Sequence, residues 1–189
     1  GVQTCALPIF CSNFFTLLSL PEVQNNLRRR LELIPLAIEE LNRLAPAVTF
    51  IFRVVKEETT LGNQTLKPGT VIFISTHAVN RDENIFSNPH ECLIDRKYNP
   101  HFAFGHGTHF CLGAKLARIE MQTLFNELLL RLPNLTLGTT AVRKHYSLAF
   151  SGFENLIVNI NHGSSLLDKL QTERRIENND IHSRSRQSS

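Results

Sequence analysis

The sequence has no tryptophan, one methionine, two tyrosines and only four cysteines among its 189 residues. The cysteines stand at positions 5, 11, 92 and 111 and include no Cys-x-x-Cys pair, so a small secreted domain held by disulfides is not expected. No Lys or Arg precedes the first apolar stretch, so a cleavable signal peptide is not predicted. These absences indicate a reducing compartment, and we expect a cytoplasmic location.

Long hydrophobic runs and a strong charge of one sign are also missing. The most apolar stretch, residues 14–20, ends at Pro21 and falls short of the roughly 18 to 20 residues that a membrane-spanning helix needs. The net charge is only +3 and the basic residues are scattered, so nucleic acid is not an expected partner. With 42% apolar residues, the chain is predicted to be soluble and to bury one sizeable core.

The two ends of the chain differ in character from the middle. The opening GVQTCALPI has no initiator Met and resembles the conceptual translation of a sequencing adapter, so we expect residues 1–12 to be a non-native leader. Residues 161–189 are dominated by Ser, Asn, Arg, Glu and Asp, which predicts a disordered tail with at most a short helix at residues 166–176. The folded domain is expected within residues 13–160.

Periodicity predicts three helices. Pro21 and Pro35 each suit the first turn of a helix, and Pro46 ends the second one because proline disfavours helical backbone at the residue before it. The apolar stripes behind the two prolines are Val23, Leu27 and Leu31, then Ile38, Leu41 and Leu44. A longer helix is predicted over residues 112–132, with a buried face of Ala117, Met121, Leu124, Phe125, Leu128 and Leu132.

The remaining segments indicate short strands and loops. Residues 48–75 are rich in β-branched and aromatic side chains and contain turn signals at Gly62-Asn63 and Pro68-Gly69, which predicts a small antiparallel sheet. Residues 80–100 show no sustained period and predict an irregular segment. After Pro133 we expect further short strands, with a turn at Ser151-Gly152. The expected fold class is mainly α with small antiparallel β-sheets, an α+β arrangement.

The most informative segment is FAFGHGTHFCLG, residues 102–113, in which glycines surround two histidines and one cysteine just before the long helix. Four interpretations are open. One is a zinc site with His106, His109 and Cys111, although no second ligand pair stands at the spacing of a structural site. Another is a phosphate loop, whose usual patterns the segment does not match. The others make Cys111 a thiolate at a helix N-terminus, competent to bind haem iron, or a plain buried cysteine.

The segment resembles the haem-binding signature of the cytochrome P-450 family, F-x-x-G-x-[RH]-x-C-x-G. Phe104, Gly107, His109, Cys111 and Gly113 occupy its five defined positions. The resemblance implies the C-terminal part of the cytochrome P-450 fold.

The family also carries an E-x-x-R pair on a helix upstream of the signature, which Glu40 and Arg43 match here. The resemblance completes the pair with an arginine of the irregular segment, at Arg96. These three side chains are expected to form a desolvated ion-pair network that serves folding rather than catalysis, so the loss of one member should be strongly destabilising.

The resemblance implies haem b as the cofactor. It makes Cys111 the axial ligand of the haem iron, with Phe104 shielding the sulfur from water. The glycines at positions 105, 107 and 113 would let the backbone turn and approach the macrocycle, which names Gly105, Gly107 and Gly113 as cofactor-binding residues.

Other residues take roles from the same resemblance. Arg53 and His109 fall at positions that contact the haem propionates, as a cationic and a hydrogen-bonding side chain can. Val48, Thr49 and Phe153 fall in regions that line the substrate pocket in the family.

The implied activity is that of a haem-thiolate monooxygenase, in which dioxygen is activated at the Cys-ligated iron and one oxygen atom enters an apolar small molecule. A ferredoxin- or flavodoxin-type electron donor is the implied partner, and the signature is most similar to that of soluble bacterial members. The acid-Thr pair of the oxygen-activating helix has no counterpart here, so no catalytic residue is assigned. We expect the chain to be truncated at its N-terminus and inactive by itself.

Two alternatives to this activity stay open. One is an inactive haem-binding or structural remnant without turnover. The other is a family member that uses peroxide or carries out a rearrangement.

Overall fold

The computed structural model describes residues 3–139, 142–145 and 149–160, together with Asp168 and Gln171. Within these residues the chain forms helices and two-stranded antiparallel sheets, which confirms the predicted α+β class. Except for those two residues, the segment predicted as a disordered tail lies outside the described part of the chain.

The prolines position the first helices. The helices are α1 (Gln3–Leu18), α2 (Pro21–Arg29), α3 (Ile34–Leu44), the short α4 (Thr76–Val79) and α5 (Ala114–Arg131). Pro21 and Pro35 lie in the first turns of α2 and α3, where the missing N–H costs nothing, and α3 ends two residues before Pro46. Residues 80–100 contain no helix or strand, as predicted.

In the part of the chain that the structure describes, the strands form four two-stranded ladders. They are β1 (Phe50–Val54), β2 (Thr59–Leu61), β3 (Gln64–Leu66), β4 (Val71–Ser75), β5 (Leu135–Leu137), β6 (Val142–His145), β7 (Ser151–Asn155) and β8 (Val158–Ile160). β1 pairs with β4, β2 with β3, β5 with β8 and β6 with β7, all antiparallel. A single bridge between Val48 and Phe150 joins the first sheet region to the last.

The core lies where α1, α3 and α5 meet. Its most deeply buried apolar side chains include Leu17, Ile38, Leu41, Met121, Phe125 and Leu129. Arg28 of α2 reaches this region and donates to the carbonyls of Leu129 and Leu132, which end α5. The helices are therefore joined by apolar packing and by a cap on the last turn of α5.

The buried face of α5 differs from the prediction. Met121 and Phe125 are buried as expected, and Leu129 continues their row at four-residue spacing, whereas Leu124 is exposed. Neighbouring residues on a helix point about 100° apart, so α1 and α3 cover the row through Phe125 and leave Leu124 outside it.

The predicted turn at Ser151-Gly152 is wrong, because both residues lie within β7. Gly152 pairs with Lys144 of β6, and the next residue, Phe153, is buried with its ring centroid 4.7 Å from that of Phe15 on α1. Burial of this aromatic ring holds the segment extended and overrides the local turn propensity.

The structure also includes residues that we left outside the predicted domain. Residues 3–12 belong to α1, where Ile9 is buried and the ring of Phe10 lies 5.7 Å from that of Phe125. Among the described helices, none is both long enough and apolar enough to cross a bilayer.

Candidate functional site

Glu40 is the centre of a buried polar network between α3 and the irregular segment. Arg43 Nη2 lies 2.8 Å from Glu40 Oε1, and Arg43 Nε lies 2.9 Å from Glu40 Oε2. Arg96 Nε donates to Oε2 at 3.0 Å, and the main-chain N–H of Leu93 donates to Oε1 at 3.0 Å. The structure thus brings the three side chains of the predicted triad into hydrogen-bonding contact.

Arg43 uses its remaining donors on main-chain carbonyls of residues 80–91. Nη1 donates to Asn80 at 2.9 Å and to Pro89 at 2.6 Å, and Nη2 donates to Glu91 at 2.9 Å. The guanidinium also lies over the ring of Phe86, 5.1 Å from its centroid. Because the buried cation is satisfied on every side, it holds the irregular segment against α3.

The charge state of Glu40 follows from these contacts. Burial alone would raise the pKa of this carboxyl, but hydrogen bonds from Arg43 and from the Leu93 N–H, with the charges of Arg43 and Arg96, lower the pKa below its usual range. Glu40 therefore stays ionised and can balance both arginines.

Asn80 connects this network to the segment that precedes the cysteine. Its Nδ2 donates to the carbonyl of Arg43 at 3.1 Å, and its Oδ1 accepts from the main-chain N–H of Phe102 at 2.7 Å. Asn80 is fully buried, and the sequence analysis did not single it out. A fixed amide of this kind sets where the cysteine segment begins relative to α3.

Cys111 stands directly before α5 in an exposed loop. Its main-chain N–H donates to the carbonyl of Phe104 at 2.9 Å, and its carbonyl accepts from the N–H of Ala114 at 3.2 Å. The thiol is free and the residue is exposed, unlike a plain buried cysteine. It lies at the end of α5 where the helix dipole favours negative charge.

Two of the three glycines in the cysteine loop have backbone that other residues rarely adopt. Gly105 and Gly107 have φ angles of 76° and 68°. Gly113 differs, because its φ of −83° suits any residue, and a Cβ added there would lie 3.9 Å from Cys111 Sγ. Gly113 therefore matters by standing beside the sulfur rather than by its conformation.

Phe104, Arg53 and His109 take different positions around this loop. Phe104 is buried beneath the loop, with its ring 6.4 Å from that of Phe110. Arg53 is exposed on β1 and donates to the carbonyl of Phe52 at 2.9 Å. His109 is exposed in a short 3-10 turn, Gly107–His109.

The three residues suggested to line a substrate pocket belong to segments that meet. The bridge at Val48 joins the start of the first sheet to residue 150, close to Phe153. Thr49 and Phe153 are buried, whereas Val48 is partly exposed. Phe153 presents its ring to Phe15 of α1.

The zinc interpretation finds no ligand set. In the part of the chain that the structure describes, no three His, Cys, Asp or Glu side chains come together to hold a metal ion. His101 contacts Glu39, and His77 contacts Arg81.

A second polar cluster, which the sequence patterns did not predict, lies next to the first. Arg118 of α5 makes two hydrogen bonds of 2.7 Å to Glu39, one to each carboxylate oxygen, and His101 Nε2 lies 2.9 Å from Glu39 Oε2. The adjacent pair Glu39-Glu40 was the available signal, since two carboxylates on a largely buried helix each require partners.

Comparisons with known proteins agree with this geometry. The family model described as Cytochrome P-450 matches residues 19–150. Mycinamicin IV hydroxylase/epoxidase of Micromonospora griseorubida is 41% identical over 135 residues, which are 70% of this chain and 34% of that protein. Nocardicin C N-oxygenase of Nocardia uniformis is 39% identical over 140 residues, covering 73% of this chain and 35% of that protein.

Solved structures show the same similarity. CYP109E1 from Bacillus megaterium in complex with corticosterone matches with a TM-score of 0.78 at 34% identity, covering 84% of this chain and 43% of that one. The chain belongs to the cytochrome P-450 family, and its relatives are bacterial. It spans about a third of the length of these curated relatives.

Haem b is the cofactor of this family, and the residues present fit it. Cys111 offers an exposed soft donor, and the adjacent Phe110 and Leu112 expose apolar surface of the kind that a macrocycle can cover.

Proposed function

We propose that the protein acts as a haem-thiolate monooxygenase that hydroxylates an apolar small molecule. The observation that carries the proposal is the position of Cys111, exposed just before α5 in a loop whose first residue, Phe102, is hydrogen-bonded to Asn80 of the segment that Arg43 holds against α3.

The names of the relatives support oxygen insertion into small organic molecules. One relative is named as a hydroxylase/epoxidase, another as an N-oxygenase, and the CYP109E1 structure contains corticosterone. We therefore propose an apolar substrate and an electron donor of the ferredoxin or flavodoxin type, with the reaction taking place in the cytoplasm. Residues 13–160 would belong to the catalytic domain.

When bound, haem would supply the oxygen chemistry, and electron donation from a thiolate ligand would favour it. Cys111 would hold the iron, while Gly105, Gly107 and Gly113 keep side chains out of the loop. Phe104 closes the inner side of the loop against water.

Further residues would orient the cofactor and the substrate. Arg53 and His109 would bind the propionates, since both are exposed and able to donate to a carboxylate. Val48, Thr49 and Phe153 would contribute to the substrate pocket where the first and last sheet regions meet.

The alternative is a chain that binds haem without turnover. The apolar surface beside Cys111, where Leu112 is fully exposed and Phe110 is half-exposed, would hold a haem equally well in this case, so the alternative differs from the first proposal only in turnover.

The test is the difference spectrum of the haem-loaded, dithionite-reduced protein with carbon monoxide, recorded beside Cys111→Ser. Thiolate ligation predicts a strongly red-shifted Soret band that the serine variant loses. The same band in both proteins would overturn the assignment of Cys111. Substrate-dependent consumption of reducing equivalents, measured on the same samples, separates a monooxygenase from a protein that only binds haem.

A further inference from the structure

Glu39 and Glu40 are adjacent on α3 but point about 100° apart, toward different parts of the molecule. Glu40 faces residues 93–99 of the irregular segment, whereas Glu39 faces α5 and the segment before the cysteine. Two guanidinium nitrogens of Arg118, Nε and Nη2, each donate a hydrogen bond of 2.7 Å to Glu39. A bidentate pair of this kind fixes orientation as well as distance.

His101 is the third member of this group. Its Nδ1 accepts from the main-chain N–H of Ala103 at 3.2 Å, so the ring proton on Nε2 is available to Glu39 Oε2, 2.9 Å away. The His101 side chain is almost fully buried. We call Glu39, His101 and Arg118 the Glu39 cluster.

The Glu39 cluster contacts the cysteine loop at Phe104. The Arg118 guanidinium lies over the ring of Phe104, 4.6 Å from the centroid, and the ring of His101 lies 6.0 Å from it. The carbonyl of Phe104 in turn accepts from the N–H of Cys111 at 2.9 Å. Glu39 of α3 thus binds two side chains, Arg118 of α5 and His101 just before the loop, that both contact Phe104.

We propose that Glu39, His101 and Arg118 are positioning residues that hold Phe104, and through it Cys111, in the orientation required for the thiolate to bind haem iron. The inference rests on the proposed function, since it assigns a role toward the ligand of that site. None of the three needs to touch the cofactor to act in this way.

Arg118→Met and Glu39→Gln distinguish positioning from a plain charge effect, because they remove charges of opposite sign. If the cluster positions Phe104, both variants release it, and both shift the haem reduction potential and the Soret band of the reduced carbon monoxide complex in the same direction. If the charges act through space alone, the two potentials shift in opposite directions, which overturns the proposal. Arg118→Lys keeps the charge but cannot make the two parallel hydrogen bonds to Glu39. A positioning role therefore predicts that its reduction potential and Soret band resemble those of Arg118→Met.

A second readout needs no haem. Amide hydrogen exchange of the whole chain should be roughly tenfold faster at Cys111 in both variants, while amides of the β1–β4 ladder stay unchanged. Arg131→Met is the matched control, since Arg131 pairs with Glu127 on the exposed side of the same helix. Unchanged exchange at Cys111 in the cluster variants would refute the positioning role.

The haem measurements and the hydrogen-exchange rates together separate this inference from the proposed function. Loss of the red-shifted band in every sample, with faster exchange at Cys111, contradicts thiolate ligation but supports the cluster. A normal band in the parent protein, with unchanged potential and exchange in the variants, contradicts the cluster alone.

Discussion

Glu40 and Cys111 lie at opposite extremes of exposure, since the Glu40 side chain is fully buried and Cys111 is exposed. Around Glu40, two arginines, a main-chain N–H and the Asn99 amide satisfy one buried carboxylate. Around Cys111, residues 106–112 are exposed and only main-chain bonds close the loop. The difference separates a buried ionic network around Glu40, here called the frame, from an open loop that is accessible for the proposed haem ligation.

The largest expected effect comes from breaking the frame. Glu40→Gln keeps the shape of the side chain but leaves Arg43 and Arg96 without a counter-charge in a buried site, which should lower the free energy of unfolding by roughly 3–5 kcal/mol. Urea unfolding measures the change. Glu127→Gln, at an exposed pair, is the control and should cost less than about 0.5 kcal/mol. Equal losses of unfolding free energy in the two variants would show that the buried network contributes no more to stability than an exposed ion pair does.

The next effect concerns pH and the Glu39 cluster. Burial alone would raise the pKa of Glu39, but hydrogen bonds from Arg118 and His101, with the charge of Arg118, lower the pKa to about 2. A lowered pKa contributes stability above the unfolded value of about 4.3, and that contribution is lost as the pH falls toward 2.

The contribution of Glu39 should reach at most about 3 kcal/mol at neutral pH. Unfolding curves of the parent and of Glu39→Gln, measured from pH 7 to pH 2, should converge at the acid end. A difference between the two proteins that does not depend on pH would contradict this origin.

A smaller effect is expected within the loop. Gly107→Ala places a side chain at a φ of 68° in open space, so its cost is conformational and should be about 1–2 kcal/mol. Gly113→Ala, with ordinary backbone, should be close to neutral for stability. Thermal unfolding of the two variants separates conformational strain from crowding near the sulfur, and equal costs would show that the loop does not depend on positive φ.

The smallest effect on stability is expected at Cys111 itself. Cys111→Ser changes an exposed atom, so the free energy of unfolding of the haem-free chain should stay within about 0.5 kcal/mol of the parent value. Denaturant unfolding tests this, and a loss comparable to that of Glu40→Gln would mean that the cysteine also serves the frame.

Local signals accounted for much of the fold. Pro21 and Pro35 mark the starts of α2 and α3, and Pro46 marks the end of α3. Proline has these effects because it restricts its own backbone and that of the residue before it. The turn predicted at Ser151-Gly152 is wrong because packing of Phe153 on Phe15 stabilises the extended backbone more than Gly152 stabilises a turn. Local propensity is decisive only where no distant partner competes with it.

The sequence by itself determined the family, the class of fold and the candidate ligand, because the signature around Cys111 and the spacing of Glu40 and Arg43 are read within a few residues. Only the tertiary structure decided which charges meet. Glu39 and Arg118 are 79 residues apart, and although the Glu39-Glu40 pair indicates a need for partners, only the packing of α3 on α5 identifies Arg118 as one of them. Pairing over such separations depends on how helices pack, and a linear pattern carries no record of that geometry.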